Sequence, residues 1–297
     1  MQEGAGKMKV LLSGATGFIG GHLRPELEAA GHEVLTVGRG ANSDFDWSDE
    51  GLKRGVGAVD GIVHLAGESL FARRWTASQK AVLKSSRTET TRRLADLATE
   101  LDKDFLITAS AVGYYGPSDA ENLTEEAPQG DDFLAELCGE WERAADLARQ
   151  SSVRVATIRI GVVIGTDGGA LKRMLLPFRL GLGGPLGSGK QAFPWIHIDD
   201  LVRLFRYIIE NKNTSGVYNG TSPNPVSMGK FAKTLGRVLH RPAIFPVPSF
   251  VLKLLLGEIS TILLTGQRPI PKRAMEAGFE LRYPHLEPAL HELLDGK

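Results

Sequence analysis

Apolar residues come in two rhythms along the first half of the chain. Near-continuous β-branched and aliphatic runs occupy Lys9 to Ser13, Glu33 to Val37, Gly61 to Leu65, Asp104 to Ala109 and Arg154 to Ile160. A strand that is apolar on both faces is one covered on both faces, so these runs predict the strands of a parallel sheet. Between them, Leu23 to Ala30, Ala77 to Leu101 and Phe133 to Gln150 carry apolar residues three and four apart, the spacing of a single helical stripe. Strand and helix in alternation predict a doubly wound α/β domain. Pro25 falls inside the first helix, where it removes a backbone donor, and a kink is expected there. After Gly165 the rhythm gives way to Gly- and Pro-rich loops at 181–185, 221–226 and 242–248. This part reads as a smaller substrate lobe over the carboxyl ends of the strands, where open α/β sheets bind ligands. The division expected is a cofactor-binding domain over 8–244, with part of the lobe inserted around 166–198, and a small C-terminal domain over 245–297 packed on the body.

Gly14, Gly17 and Gly20 directly follow the first strand and open the first helix. Glycine there lets backbone amides at a helix N-terminus face a pyrophosphate without a Cβ in the way. With the second strand in place, this is the start of a Rossmann-type dinucleotide site. An NAD site usually puts an acid after the second strand, to bind the ribose 2′-hydroxyl. Here the strand ends in Val37-Gly38-Arg39-Gly40, and a guanidinium fork suits a 2′-phosphate, so the expected cofactor is NADP(H).

Four motifs occur in order: Gly14-Ala-Thr-Gly-Phe-Ile-Gly20, His64-Leu-Ala-Gly67, Tyr115-Gly116 and Trp195-Ile-His-Ile-Asp-Asp200. Together they resemble the extended short-chain dehydrogenase/reductase proteins of the NAD(P)-dependent epimerase/dehydratase superfamily. A further set is similar to an atypical subgroup whose members end in a small C-terminal domain. It comprises Ala66-Gly-Glu68, Arg74-Trp75, Ser86-Arg87, Ser110 to Gly116, Trp141-Glu142, Leu175 to Arg179 and Gly181 to Pro185. The resemblance implies an NADP-type Rossmann core and no settled substrate. Cofactor contacts are expected from Gly14, Thr16, Gly17, Phe18, Ile19, Gly20, Arg39, Leu65, Ala66, Gly67, Ala109, Gly161 and Val162.

Standard members of the superfamily relay a proton through a tyrosine with a lysine four residues on. None of the five tyrosines has that lysine: Ser118, Asp119, Asn211, Ser222 and Glu287 stand there instead. Where the pair would lie, the chain has Leu137 and Trp141, which exchange no proton. The remaining candidates for chemistry are Ser110, which the resemblance matches to the active-site serine, the phenols of Tyr114 and Tyr115, and Glu68 beyond the third strand. Arg74, Trp75 and Trp195 are candidate substrate contacts. Val162 stands where nucleotide-sugar enzymes usually carry an asparagine, and Ala111 and Val112 replace the acidic pair of sugar dehydratases. Gly184 to Lys190 mimics a triphosphate loop, but Gln191 replaces the magnesium-binding hydroxyl; a mobile flap is expected instead.

Charge and composition narrow the partners. Thirty-five basic and 35 acidic side chains cancel without a basic face, so nucleic acid is not expected. A lone cysteine, Cys138, excludes an internal disulfide and a cysteine-rich metal site, and no metal is expected. Met1 to Lys7 lack the apolar run of a secretory signal, Met8 is a candidate native start, and no segment is apolar enough to span a membrane. A cytoplasmic protein acting on a small-molecule substrate is expected, with a homodimer left open. The favoured activity is an NADPH-dependent oxidoreductase on a small non-nucleotide carbonyl. A non-catalytic dinucleotide-binding sensor or interaction protein is the alternative, with a sugar epimerase third.

Overall fold

In the computed structural model, residues 6–118 and 122–295 are described. Met1 to Ala5, and the last two residues of the 245–297 segment, lie outside them. Five strands fall where the apolar runs put them: β1 (Lys9–Ser13), β2 (Glu33–Val37), β3 (Gly61–His64), β4 (Phe105–Ala111) and β5 (Arg154–Ile160). The helices between them are α1 (Phe18–Ala29), α2 (Asp49–Gly57), α3 (Ala77–Glu100) and α4 (Phe133–Asp146). Short strands β6 (Val162–Ile164), β7 (Ala192–Phe193) and β8 (Trp195–His197) follow, with α5 (Gly169–Arg179) among them and α6 (Ile198–Glu210) after them. Then come β9 (Gly216–Gly220), β10 (Val226–Ser227) and α7 (Met228–Val238). The C-terminal segment carries α8 (Ser249–Leu256), α9 (Ser260–Leu264), α10 (Lys272–Glu276) and α11 (Leu286–Leu294).

The main sheet has six strands in the order β2-β1-β3-β4-β5-β9. Every pairing in it is parallel. The strand order turns back between β1 and β3, and that switch point opens the crevice above their carboxyl ends. Leu23 and Leu27 of α1 join Leu204, Phe205 and Ile208 of α6 in the core on one face. Leu52 and Val56 of α2, with Leu94, Ala95 and Ala98 of α3, cover the other. No helix among the described residues is long and apolar enough to cross a membrane.

Helix α1 starts five residues before the apolar stripe suggested, because its first turn contains Gly20 and Gly21, poor helix formers of which the first is required by the loop. It continues through Pro25. The lobe has its own core, in which Leu171 and Leu175 of α5 and Phe231 and Leu235 of α7 meet Leu286, Ala289, Leu290 and Leu293 of α11. The chain's last helix therefore completes a core begun more than a hundred residues earlier. Trp195 lies wholly inside this core, donating Nε1–H to the Asn224 carbonyl at 3.2 Å. It is not available as a substrate contact, which corrects the expectation from its motif. The glycine-rich segment 184–190 is not loose either. Gly187 N–H donates to the Val247 carbonyl, Gly189 accepts from Gly229 N–H, and Gln191 Nε2 donates to Leu186 and Leu263.

Candidate functional site

The glycine loop brings three stretches of backbone into van der Waals contact. Gly14 has φ +73°, a conformation L side chains rarely adopt, and a Cβ on it would come within 3.0 Å of the Leu65 and Ala66 backbone. A Cβ on Gly20 would fall 2.2 Å from the Gly14 carbonyl oxygen. Gly17 occupies the cap position of α1 and offers no side chain to it, so the first-turn amides are not capped by the protein. The Phe18 ring is packed beneath Gly165, Gly168 and Gly169, where any side chain would collide with it. It therefore bounds the loop, leaving its backbone to face the crevice.

Beyond β2, an open depression of ≈ 740 Å³ is lined by Gly38, Arg39, Ser43, Asp44 and Trp47 among others. Arg39 is exposed, with no ion pair or hydrogen bond to the described protein. The neighbouring acid does not compete for it, since Asp44 accepts from both Thr36 N–H and Thr36 Oγ1, each at 2.8 Å. Burial works to raise the Asp44 pKa, but those two bonds hold it below the ordinary carboxylate value. A cradle that only glycine can line, an uncapped helix start and an unpaired guanidinium after β2 suit a dinucleotide with a 2′-phosphate.

At the carboxyl ends of β4 and β5, polar side chains close on one another. Ser110 Oγ donates to Glu142 Oε1 at 2.8 Å. Arg159 grips the same carboxylate with both arms of its fork, Nε to Oε1 and Nη2 to Oε2, each at 2.8 Å. Its Nη1 donates to the Tyr115 hydroxyl at 3.1 Å, and that hydroxyl donates to Asn219 Oδ1 at 2.7 Å. The guanidinium carbon lies 3.3 Å from the Tyr114 ring centroid. Burial raises the Tyr115 pKa further than Arg159 lowers it. This bears on the reading in which one of the two phenols donates a proton and Ser110 hydrogen-bonds a carbonyl. Ser110 and Tyr115 have their hydroxyl protons committed to buried acceptors, and Tyr114 alone keeps a hydroxyl with no partner among the described residues.

At the end of β3 the organisation differs. Glu68 N–H donates to Ser86 Oγ at 3.2 Å, and Arg87 Nη2 donates to the Glu68 carbonyl at 2.9 Å. Glu68 is thus held by α3 rather than by a phenol. Arg87 also donates Nη1–H to the Leu83 carbonyl at 3.1 Å, with its guanidinium carbon 5.2 Å from the Trp141 ring centroid. Trp141 Nε1 donates to Thr91 Oγ1 at 2.9 Å. Burial first, and Glu142 second, push the Cys138 thiol up to about 12, so it is inert as a nucleophile. Arg74, expected at the substrate, instead donates to the Leu254 and Leu255 carbonyls at 2.6 and 2.9 Å and braces the end of α8. Trp75 donates to the Leu70 carbonyl at 2.9 Å and packs edge-on against Phe133.

Sequence reasoning missed Arg87, Glu142, Arg159 and Asn219 as members of the site. A signal was present: Arg159 stands between two isoleucines near the end of a buried strand, and Arg87 lies four residues after Leu83 on the buried face of α3. A charge in a buried register needs a partner or a ligand.

Residues 10–219 match the model of the NAD dependent epimerase/dehydratase family, and 247–293 match a domain of unknown function. The chain is 43% identical to the chloroplastic epimerase family protein SDR39U1 homolog of Arabidopsis thaliana, over 97% of this chain and 87% of that protein. It is 42% identical to epimerase family protein SDR39U1 of Homo sapiens, over 97% of this chain and all (100%) of the human one. A crystal structure of the human protein with NADPH superimposes at a TM-score of 0.91, covering 98% of this chain and 100% of that one at 40% identity.

Proposed function

The chain belongs to the NAD dependent epimerase/dehydratase family, and on that premise we propose that it is an NADP(H)-dependent oxidoreductase acting on a small, non-nucleotide carbonyl compound. The observation that carries the reading is the glycine cradle after β1, with its uncapped helix start, together with the unpaired Arg39 that follows the neighbouring strand β2. Gly14, Thr16, Gly17, Phe18, Ile19 and Gly20 hold the pyrophosphate through backbone amides, and Arg39 takes the 2′-phosphate. Leu65, Ala66 and Gly67 flank the loop, with Ala109, Gly161 and Val162 on the far side. The cofactor supplies hydride when bound. Among the chain's own groups, Tyr114 is the proton donor left over once Ser110 and Tyr115 are engaged, and the Glu142–Arg159 pair holds its ring. Residues 8–244 carry the cofactor body with part of the lobe inserted around 166–198, and 245–297 is the small domain packed on it.

NADPH oxidation against a panel of quinones, aldehydes and ketones tests the proposal. The wild type is expected to turn over at least one, and Tyr114→Phe to lower that turnover by about 10²–10⁴-fold with NADPH affinity unchanged. Full turnover in Tyr114→Phe would give the proton to water or substrate. The engaged hydroxyls of Ser110 and Tyr115 favour one second reading, a non-catalytic NADP(H) sensor. Tight NADPH binding with no oxidation anywhere on the panel would select it.

A further inference from the structure

A guanidinium inside a protein is ordinarily neutralised, because an unpaired buried charge is among the most costly things a fold can contain. Arg159, 3% exposed, obeys this rule through Glu142. Arg87 does not, although it is only 9% exposed. Its protein acceptors are two backbone carbonyls, of Leu83 and Glu68, which orient the fork without cancelling its charge. The Glu68 carboxylate acts on it through space only. Of the five N–H donors of a guanidinium, two are accounted for by the described residues.

The position of the unpaired charge matters as much as its state. A Cβ on Gly67 would lie 3.2 Å from the guanidinium carbon, so the group rests on the bare backbone just after β3. The two residues before Gly67 are those that the Gly14 turn touches. Arg87 therefore stands at the carboxyl edge of the sheet beside the switch point, on the wall of the crevice that receives the cofactor. Trp141 backs its face and the Ser86 hydroxyl pins the Glu68 backbone, so the fork is held before any ligand arrives.

We propose that Arg87 is an anion-recognition residue of the substrate site, and that the substrate carries a carboxylate or equivalent oxyanion that completes the guanidinium's hydrogen bonding beside Gly67. This rests on reading the crevice as the substrate site and narrows the substrate from small carbonyl compounds to anionic ones. The free donors suit a planar oxyanion, which a guanidinium recognises bidentately.

The test is calorimetric titration of the full chain loaded with NADPH, using acids and their neutral amides as paired probes: acetate with acetamide, benzoate with benzamide. At least one carboxylate is expected to bind about tenfold or more tightly than its amide, the lower end of what a charge-assisted hydrogen bond contributes. Arg87→Met should erase that preference while NADPH affinity stays the same. Because Met removes an unpaired buried charge and keeps the volume, the thermal midpoint should hold or rise. Should the Met variant fail to fold, Arg87→Lys keeps a point charge without the fork and should weaken the carboxylate while leaving the amide unchanged. Equal affinity for every acid and its amide overturns the inference, as does a preference that survives Arg87→Met or is undiminished in Arg87→Lys. A fall in NADPH affinity in Arg87→Met would also overturn it, assigning the guanidinium to the cofactor. Binding is read without turnover, so the result is independent of hydride transfer. A chain that reduces neutral carbonyls but prefers no anion would lose this inference and keep the proposed activity.

Discussion

The two ends of the crevice treat a buried arginine in opposite ways. At β4 and β5, Arg159 is enclosed by Glu142, Tyr115 and the Glu125 carbonyl, and stacked on Tyr114. At β3, Arg87 has backbone carbonyls and the face of Trp141, and no ion pair among the described residues. The first is a closed network whose members satisfy one another; the second is oriented and left charged. Closure makes the β4–β5 end a structural joint, because a group already satisfied gains little from a ligand. An oriented but unsatisfied donor is the opposite, costly in the empty protein and useful when something anionic arrives.

The comparison is broken most severely at the closed end. Glu142→Ala should strand Arg159 and cost about 3–5 kcal/mol of stability, read from urea denaturation. Replacing both partners, as Glu142→Leu with Arg159→Met, should recover most of that loss. A single variant as stable as wild type would mean that the network is not a joint. A third guanidinium sharpens the contrast from outside. Arg39→Ala should weaken NADPH binding by about 1.5–3 kcal/mol and leave NADH nearly unchanged in calorimetric titration. Equal affinity of the wild type for both cofactors would remove Arg39 from the 2′-phosphate. Gln79, two turns before Arg87 on α3, has a fully buried side-chain nitrogen, Nε2, without a partner among the described residues. Gln79→Leu should therefore stabilise the chain by about 1 kcal/mol, and destabilisation would mean that Nε2 is satisfied in solution.

The smallest effect near neutral pH belongs to His64. Burial first, and the Arg87 charge second, push its pKa down from 6.5 to about 3. A base whose folded pKa is depressed contributes stability that is fully present above its unfolded value. That stability should drain away as pH falls from 6.5 towards 3, more steeply in wild type than in His64→Gln, as followed by thermal midpoints. Arg87→Met should raise the His64 pKa and narrow the window. Identical acid profiles for wild type and His64→Gln would deny the open end its influence.

Much of the frame was legible before any coordinates. Apolar runs located five strands because strands covered on both faces admit few polar residues, and the glycine spacing located the tight loop between β1 and α1 because Gly14 and Gly20 leave no room for a Cβ. The sixth strand was not visible: Gly216-Val-Tyr-Asn-Gly220 has two apolar residues and owes its place to pairing with β5. Helix α2 was hidden for a related reason, with Gly51, Gly55 and Gly57 diluting its stripe. At the site, residue type named Ser110 and Tyr115 but said nothing of who receives their protons. That depends on Glu142 and Asn219, which lie 32 and 104 residues further along the chain. Arg74 and Trp195 misled for the same reason: an arginine that caps a helix and a tryptophan that fills a core look in sequence like ones that touch a ligand.

The C-terminal segment imposes an order in time on this molecule. Glu125 receives the backbone N–H groups of Asn219 and Arg273, and Asp200, wholly buried, receives those of Arg282 and Tyr283. Translation proceeds from the N-terminus, so both acids leave the ribosome long before the donors that satisfy them. Until the C-terminal segment is free, the nascent body holds Asp200 with Arg203 as partner and Glu125 with Asn219, each short of its C-terminal backbone donors, and a lobe core lacking α11. Ribosome-arrested chains ending at residue 265 should accordingly be cut readily by protease within the lobe, and full-length released chains should resist. Equal resistance of the two would mean that the body closes without its clasp.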